Sequence, residues 1–358
     1  MAKIKVAILY GGRSVEHGVS INSARNIFEF IDRKKFTPIP IGITQTGKWY
    51  HTSSVHKNIA KGKALSVSLD PGKPVLKAGT TKIAVDVVFP VLHGTDGEDG
   101  SIQGMLKALD LPIVGTGVLG SSLSMNKIIA KRLLKEAGLP VADFIPLGFY
   151  DKKKPSFEEI KNKLGLPFIV KSASLGSSVG VTLVKAKSDF ASAVDDSFRY
   201  DQELLFERYI KGREIECAIL GNTPPQASLP GEIIISKAYE FYTFDAKYVD
   251  GNAVMIDVPA KLSKEIVDSI RELSVRAFQA LKCEDYARVD LFYSEKGDIY
   301  VNEINTIPGF TNSSMFPMMW RERGISFEEL ISKLIFLSLE RNKSNGRIQY
   351  NFSSSLKF

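Results

Sequence analysis

Cysteine is scarce: the 358-residue chain has two, Cys217 and Cys283, both in apolar periodic segments and without CxxC spacing. Buried thiols follow, and a disulfide framework or a cysteine zinc site is excluded. Long apolar runs are missing too. No stretch approaches the roughly 20 residues a membrane span needs, and Met1-Ala2-Lys3-Ile4-Lys5 leads straight into a strand with no signal peptide. No membrane association and a cytoplasmic location are therefore expected. The formal charge is +7, but Lys and Arg are spread along the chain rather than clustered among aromatics. A basic enzyme of anionic substrates fits this spread, and no nucleic-acid partner is expected. Histidine at metal spacing is also absent, since His93 has no second histidine near it, which argues against zinc.

With 44% hydrophobic residues the chain can bury a large core, and its length predicts two or three domains, because single cores stop growing near ~250–300 residues. KVAILYGG reads as a buried strand ending in glycines, followed by the loop RSVEHGVS and a helix with Ile21, Ala24, Ile27, Phe28 and Ile31 on one face. Ser20 is the expected cap, leaving Glu16 and His17 in the loop at the strand's carboxyl end, where open α/β sheets place ligand groups. The loop lacks GxGxxG spacing, which disfavours a dinucleotide. Residues 48–82 are polar and weakly periodic, a long excursion with a short strand pair. A second strand–loop–helix unit, VDVVFPVLHG-TDGEDG-SIQGMLKALD, puts His93 at a strand end, open equally to a ligand contact or a loop-ordering hydrogen bond. Asp96, Glu98 and Asp99 are expected to order that loop.

LSMNKIIAKRLLKEAGLP predicts an amphipathic helix with Ile128, Ile129, Leu133 and Leu134 inward, Lys127 opening it and Lys131 a turn later. PFIVKSASLGSSVGVTLV then runs strand, glycine–serine loop, strand. A Walker A loop would need GK[ST] and a following helix. Here Gly176, Ser177, Ser178 and Gly180 instead form a hairpin loop whose amides and hydroxyls can approach an anion, with Lys171 supplying charge. ELLFERYIKGREIECAILGN breaks at Lys211-Gly212 between two strands, as an interdomain crossing would, and Glu207 and Glu214 there could meet an adenine edge and ribose hydroxyls.

The densest chemistry lies in YARVDLFY and GDIYVNEINTIPG, joined by the turn SEKGD. Alternate residues of a strand share a face, so Arg288 and Asp290 point one way, as do Glu303 and Asn305. The antiparallel return gathers two carboxylates and an amide oxygen beside a guanidinium, a pocket for Mg²⁺ carrying a phosphorylated ligand. A surface hairpin with solvated charges is the plainer alternative, and the charges interrupt a run otherwise apolar enough for a core strand.

Glycine–serine loop, Glu207 hinge and magnesium hairpin together resemble the ATP-grasp enzymes. More narrowly, GGRSVEHGVS, LHGTDGEDGSIQG, SMNK, VKSASLGSSVGV, FDAKY and RVDLF…NEINTIPGFTNSSMFP resemble, in order, the motifs of the D-alanine–D-alanine ligase family across about residues 4–330. One departure is Ser172, where that family generally has proline. The resemblance implies an α/β ATP-grasp fold: an N-terminal open α/β sheet domain (1–124) and two ATP-grasp subdomains (125–210 and 211–358) with the nucleotide between them. It implies ATP-dependent joining of two D-alanine molecules through an acyl phosphate, for peptidoglycan precursors, by a homodimer. Residue by residue, it makes Glu16 the partner of the first ammonium, places His93 and Arg288 at the activated carboxyl, and gives Gly309 with Arg288 the tetrahedral intermediate. Ser177 and Tyr248 join Glu16 in closing the loop, while Ser314 and Met315 cradle the second carboxylate. Lys127, Lys171, Lys247 and Ser178 hold phosphates, and Glu207, Ile210 and Glu214 hold adenosine. Asp290, Glu303 and Asn305 ligate two Mg²⁺ (or Mn²⁺), with Glu303 bridging. A D-lactate-using relative, another ATP-grasp ligase and a non-catalytic nucleotide sensor stand as alternatives; Tyr248, the EHGVS and HGTDGEDG blocks, and the intact metal ligands respectively oppose them.

Overall fold

Val6 to Tyr10 are all buried, so β1 (Ile4–Gly11) is covered on both faces, as a strand inside a parallel sheet must be. It lies parallel to both β2 (Phe36–Ile43) and β7 (Val87–Pro90), with α1 (His17–Phe30) as the crossover to β2. The computed structural model describes residues 2–68, 76–177, 179–235 and 254–347. The described residues of stretch 48–82 are more regular than their sequence suggests. There β3 (Trp49–His51), β4 (Lys63–Val67), β5 (Leu76–Ala78) and β6 (Thr81–Ile83) extend the same sheet by antiparallel pairing, in the order β6-β5-β4-β3-β2-β1-β7. Strands of three to five residues carry too few alternations to show a period. Helix α1 packs Ile21, Ala24 and Ile27 on one face of the sheet, and α2 (Ser101–Ala108) packs Ile102 and Leu106 on the other.

The expected cap of α1 is corrected. Glu16 precedes the helix without a side-chain cap, His17 is its first residue, and Ser20 lies inside it. Ser20 Oγ accepts the Gly11 amide at 2.8 Å and donates to the Val91 carbonyl, joining the ends of two parallel strands. That long-range demand outcompetes a local cap.

After α3 (Val118–Met125) and α4 (Lys127–Glu136) comes an antiparallel four-stranded sheet, β10-β9-β11-β8, from β8 (Phe144–Gly148), β9 (Phe168–Ser172), β10 (Val181–Val184) and β11 (Glu203–Arg208). Its outer face is covered by α5 (Phe157–Leu164) and α6 (Lys187–Phe198), through an aromatic cluster of Phe157, Phe168, Phe190 and Phe206. Ser156 and Glu159 form a capping box at the start of α5, satisfying amides the first turn leaves open.

A third sheet has β12 (Gly212–Leu220) at its centre, with β14 (Gly231–Ile235) and β15 (Val254–Asp257) on one side, β16 (Tyr286–Ser294) and β17 (Ile299–Asn305) on the other, and β13 (Gln226–Ala227) pairing the end of β12. Helices α4 and α7 (Lys264–Ala280) cover its back. Among the described residues the final helices are α8 (Met315–Arg321) and α9 (Phe327–Asn345). One apolar core joins Val6, Ile8 and Ile27 to Tyr286, Trp320, Leu330 and Leu334, so the first sheet is packed against α8 and α9. Among the described residues no helix is long and apolar enough to cross a membrane.

Candidate active site

Strands β16 and β17 pair as the alternation predicts, Arg288 opposite Asn305 and Asp290 opposite Glu303, with Gly297 at positive φ in the turn. Arg288 grips Asp290 with two parallel bonds, Nε to Oδ1 at 2.6 Å and Nη2 to Oδ2 at 2.7 Å, the fork geometry that suits guanidinium and carboxylate. Its Nε also lies 3.0 Å from Glu216 Oε2 on β12, and Asn305 Nδ2 donates to Asp290 Oδ2 at 2.9 Å. Lys127 Nζ is 3.6 Å from Glu303 Oε2. Asp290, Glu303 and Asn305 thus share one face as hard oxygen donors suited to Mg²⁺. Among the described residues no three His, Cys, Asp or Glu converge as a self-sufficient metal cage. The set fits a cation that keeps part of its shell on water and substrate phosphate, as Mg²⁺ does.

A cavity of about 420 Å³ lies between the four-stranded and third sheets, lined among others by Lys171, Glu207, Ile210, Glu214, Asp290 and Glu303. Two lysines hold Glu207: Lys131 Nζ is 2.6 Å from Oε1, and Lys171 pairs with Oε2 while donating to Asn302 Oδ1 at 3.3 Å. Burial alone raises the Glu207 carboxyl, but Lys131 and Lys171 outweigh it and hold it below the usual carboxylate range. Burial pulls Lys127 and Lys131 down, against the opposing pull of Glu303 and Glu207. The inward face of α4 therefore differs from the expected one. Ile129 is 37% exposed and Leu133 only half-buried, whereas Lys127, Lys131 and Leu134 line the buried stripe. The lysines face inward because carboxylates await them there, which hydrophobic periodicity does not register. Lys127 Nζ also donates to the Leu175 carbonyl at 2.5 Å, reaching the glycine–serine loop.

That loop carries the cavity to a second cluster. Ser177, at φ +53°, donates from Oγ to Glu16 Oε1. Two glycines let the backbone close on this carboxylate: a Cβ on Gly94 (φ +76°) would sit 2.8 Å from Glu16 Oε2, and one on Gly176 would sit 3.1 Å from it. His93 makes the loop-ordering bonds left open by its sequence, Nδ1 to the Ile307 carbonyl at 2.8 Å and Nε2 to Ser23 Oγ at 3.1 Å. Burial pushes its pKa down, against the opposing pull of Glu16, and so disfavours the charged ring. Glu98 accepts Gly94 N at 2.8 Å and Ile307 N at 3.0 Å, and Asp99 accepts the amides of Asp96 and Ser101, while Asp96 pairs with Arg13. Gly309 follows Ile307, and a Cβ there would lie 3.3 Å from Ser314 Oγ, which accepts Thr311 N at 3.0 Å. Met315 is buried against Gly231. Ser172, the departure from proline, donates to the Ser197 carbonyl at 3.0 Å and so ties β9 to α6. Ser178, Lys247 and Tyr248 lie outside the described residues. Lys131, Glu216, Asn302 and Ser23 were not singled out as site residues from the sequence. For Lys131 the signal was available, one helical turn from Lys127; the others are joined to the site only by tertiary pairing.

The family descriptions "D-ala D-ala ligase N-terminus" and "D-ala D-ala ligase C-terminus" match residues 5–116 and 133–336. The chain belongs to the D-alanine–D-alanine ligase family. Among members of the family, the D-alanine–D-alanine ligase of Oceanobacillus iheyensis is 45% identical over 97% of this chain and 98% of its own length. D-alanine–D-alanine ligase A of Escherichia coli K12 is 44% identical over 98% and 99%. Among solved structures, the D-alanine–D-alanine ligase from Coxiella burnetii superposes with TM-score 0.86 at 36% identity, covering 97% of each chain. VanG D-Ala:D-Ser ligase from Enterococcus faecalis does so with TM-score 0.85 at 36% identity, covering 94% of this chain and all of the other. The fold is accordingly the α/β ATP-grasp fold of these enzymes, and the chain is a ligase of this family.

Proposed function

We propose that this ligase joins two D-alanine molecules into D-alanyl-D-alanine, converting ATP to ADP and phosphate through a D-alanyl phosphate. The observation that carries the reading is Ser177: it lines the cavity that holds the lysines and the carboxylate hairpin, and it bonds to Glu16, so one loop bridges a phosphate-suited chamber and a carboxylate suited to an ammonium group.

In this reading ATP lies between the two sheets, adenosine against Glu207, Ile210 and Glu214, and phosphates against Lys127, Lys171, Lys247 and Ser178. Asp290, Glu303 and Asn305 would hold two Mg²⁺ (or Mn²⁺). The metal, when bound, neutralises charge on the phosphoryl group in transfer. Glu16 receives the first D-alanine's ammonium, with His93 and Arg288 beside its carboxylate. Phosphorylation turns a carboxylate oxygen into a leaving group, and Ser177 with Tyr248 closes loops over an acyl phosphate that water would otherwise hydrolyse. The second amine then attacks, its own carboxylate held by Ser314 and Met315, while Arg288 and the Gly309 amide stabilise the tetrahedral oxyanion. We also propose a division at residues 1–124, 125–210 and 211–358, a homodimer, a cytoplasmic location and a place in peptidoglycan precursor synthesis.

The test is ADP release and product chromatography with ATP, Mg²⁺ and D-alanine alone, then with D-serine or D-lactate added as second substrate. Dependence of ADP release on D-alanine with formation of the dipeptide is expected. ADP release indifferent to D-alanine, or product only with D-serine or D-lactate, overturns the reading.

A further inference from the structure

The segment after β17 is held at both ends by residues far away in sequence. Glu98 takes the Ile307 amide and His93 Nδ1 meets the Ile307 carbonyl. At the other end the Phe310 amide donates to Ser23 Oγ at 3.2 Å, across 287 residues of chain. Ser23 sits on α1 with no solvent exposure, and the same Oγ lies 3.1 Å from His93 Nε2. Gly309 is between the two anchored points.

With a neutral ring, the donor inventory leaves one arrangement of protons. A carbonyl oxygen only accepts, so His93 carries hydrogen on Nδ1 toward Ile307. In the neutral ring Nε2 is then an acceptor. The Phe310 amide only donates, so the Ser23 oxygen accepts from it and the Ser23 hydrogen points to Nε2. Ser23 and His93 each make two of these three bonds, and the loop closes: Phe310 N–H to Ser23, Ser23 O–H to His93, His93 N–H back to Ile307.

We propose that Ser23 is a positioning residue of the ligase site: its hydroxyl donates to His93 Nε2 and accepts the Phe310 amide, so that residues 307–310 present the Gly309 amide in one orientation. Ser23 does not touch the reacting atoms. It acts through His93 and through the backbone on either side of Gly309. Replacing it with alanine leaves a buried amide without an acceptor and a ring nitrogen without a donor, both costly where water cannot substitute. The expected effect on turnover rests on the proposed ligation; the proton arrangement does not.

The experiment uses the full chain labelled with ¹⁵N-histidine, whose four histidines allow His93 to be assigned from a His93→Gln variant. In the unsubstituted protein His93 Nδ1 should resonate as a protonated nitrogen, and Nε2 as an unprotonated one accepting a hydrogen bond. Ser23→Ala should move Nε2 toward a free acceptor while Nδ1 stays in place. In the ligation assay kcat should fall about tenfold while KM for ATP changes less than about twofold, the pattern of a contact that matters in the transition state. Asn26→Ala is the control, because Asn26 Oδ1 also ties α1 to this segment, at Asn312 N (3.2 Å), without touching His93; it should retain kcat. A protonated Nε2 in the unsubstituted protein overturns the proposal, and so does a Ser23→Ala enzyme with unchanged kcat or an Asn26→Ala enzyme with the same loss. Should Ser23→Ala fail to fold, the spectrum of the unsubstituted protein still decides the proton arrangement. Absence of ligase activity in that protein would defeat the proposed function and leave the spectral result standing.

Discussion

Asp285 is the group whose replacement gives the cleanest physical readout. It is wholly buried at φ +60°, one residue before β16, the strand that carries Arg288 and Asp290. Its Oδ2 accepts from the Gly115 amide (2.9 Å) and Arg341 Nη2 (3.0 Å), and its Oδ1 accepts from Asn222 Nδ2 (2.9 Å). Burial nevertheless wins over these partners, Arg341 foremost, and pushes the carboxyl up from 3.8 to about 6. The folded state therefore binds this proton more tightly than the unfolded chain. The corresponding stabilisation is complete below about pH 3.8 and is lost as pH rises through about 6. At 1.36 kcal/mol per unit the whole effect is about 3 kcal/mol. Asp285→Asn removes the titration, so urea unfolding of both proteins from about pH 3 to about pH 7 should give a stability difference that shifts by about 3 kcal/mol in favour of the variant as pH rises. Subtracting the curves cancels the titrating groups that do not interact with Asp285. A difference that stays level over this range would show that the Asp285 carboxyl titrates alike in folded and unfolded chains and that the partners fully offset burial.

If Glu303 holds metal as proposed, Glu303→Gln should lower turnover by more than ~10²-fold with the fold intact, because a carboxylate becomes a neutral amide; near-normal ADP release refutes this. Lys131→Met removes one of two cations from a fully buried carboxylate, which typically costs about 3–5 kcal/mol. A lower urea midpoint and weaker nucleotide binding in equilibrium titration are expected, and no change in either would show that Lys171 alone suffices for Glu207. Burial raises the thiol pKa of Cys217 to about 11 and of Cys283 to about 12, so iodoacetamide at about pH 8 should label the native protein far more slowly than the urea-unfolded one, since the thiolate is the nucleophile. Equal labelling rates, read by mass spectrometry, would contradict that burial.

Elements that declare themselves by local pattern were legible in the chain. The β16–β17 hairpin needs only two alternating runs and a turn, and its register put Asp290 and Glu303 together as expected. The β9–β10 loop likewise follows from glycines between two strands. What escaped was set by distant partners. The inward lysines of α4 obey carboxylates on β11 and β17, and Ser20 serves two strand ends instead of its own helix. Residues 48–82 look irregular because their strands are defined by neighbours rather than by any period of their own. The role of Ser23 depends on a contact 287 residues away, which no local window contains.

The apolar core shared by β1, α1 and helices α8 and α9 bears on how the protein is made. A ribosome completes residues 4–31 long before Trp320, Leu330 and Leu334, whose side chains share the core that buries Val6, Ile8 and Ile27. At ~5–20 residues per second, that interval lasts on the order of 15–60 seconds, during which a strand-rich apolar surface stays uncovered. Such contacts between the two ends of a chain are closed late and slowly. Nascent chains stalled before residue 320 should therefore engage holding chaperones, and release should coincide with emergence of α9 from the exit tunnel.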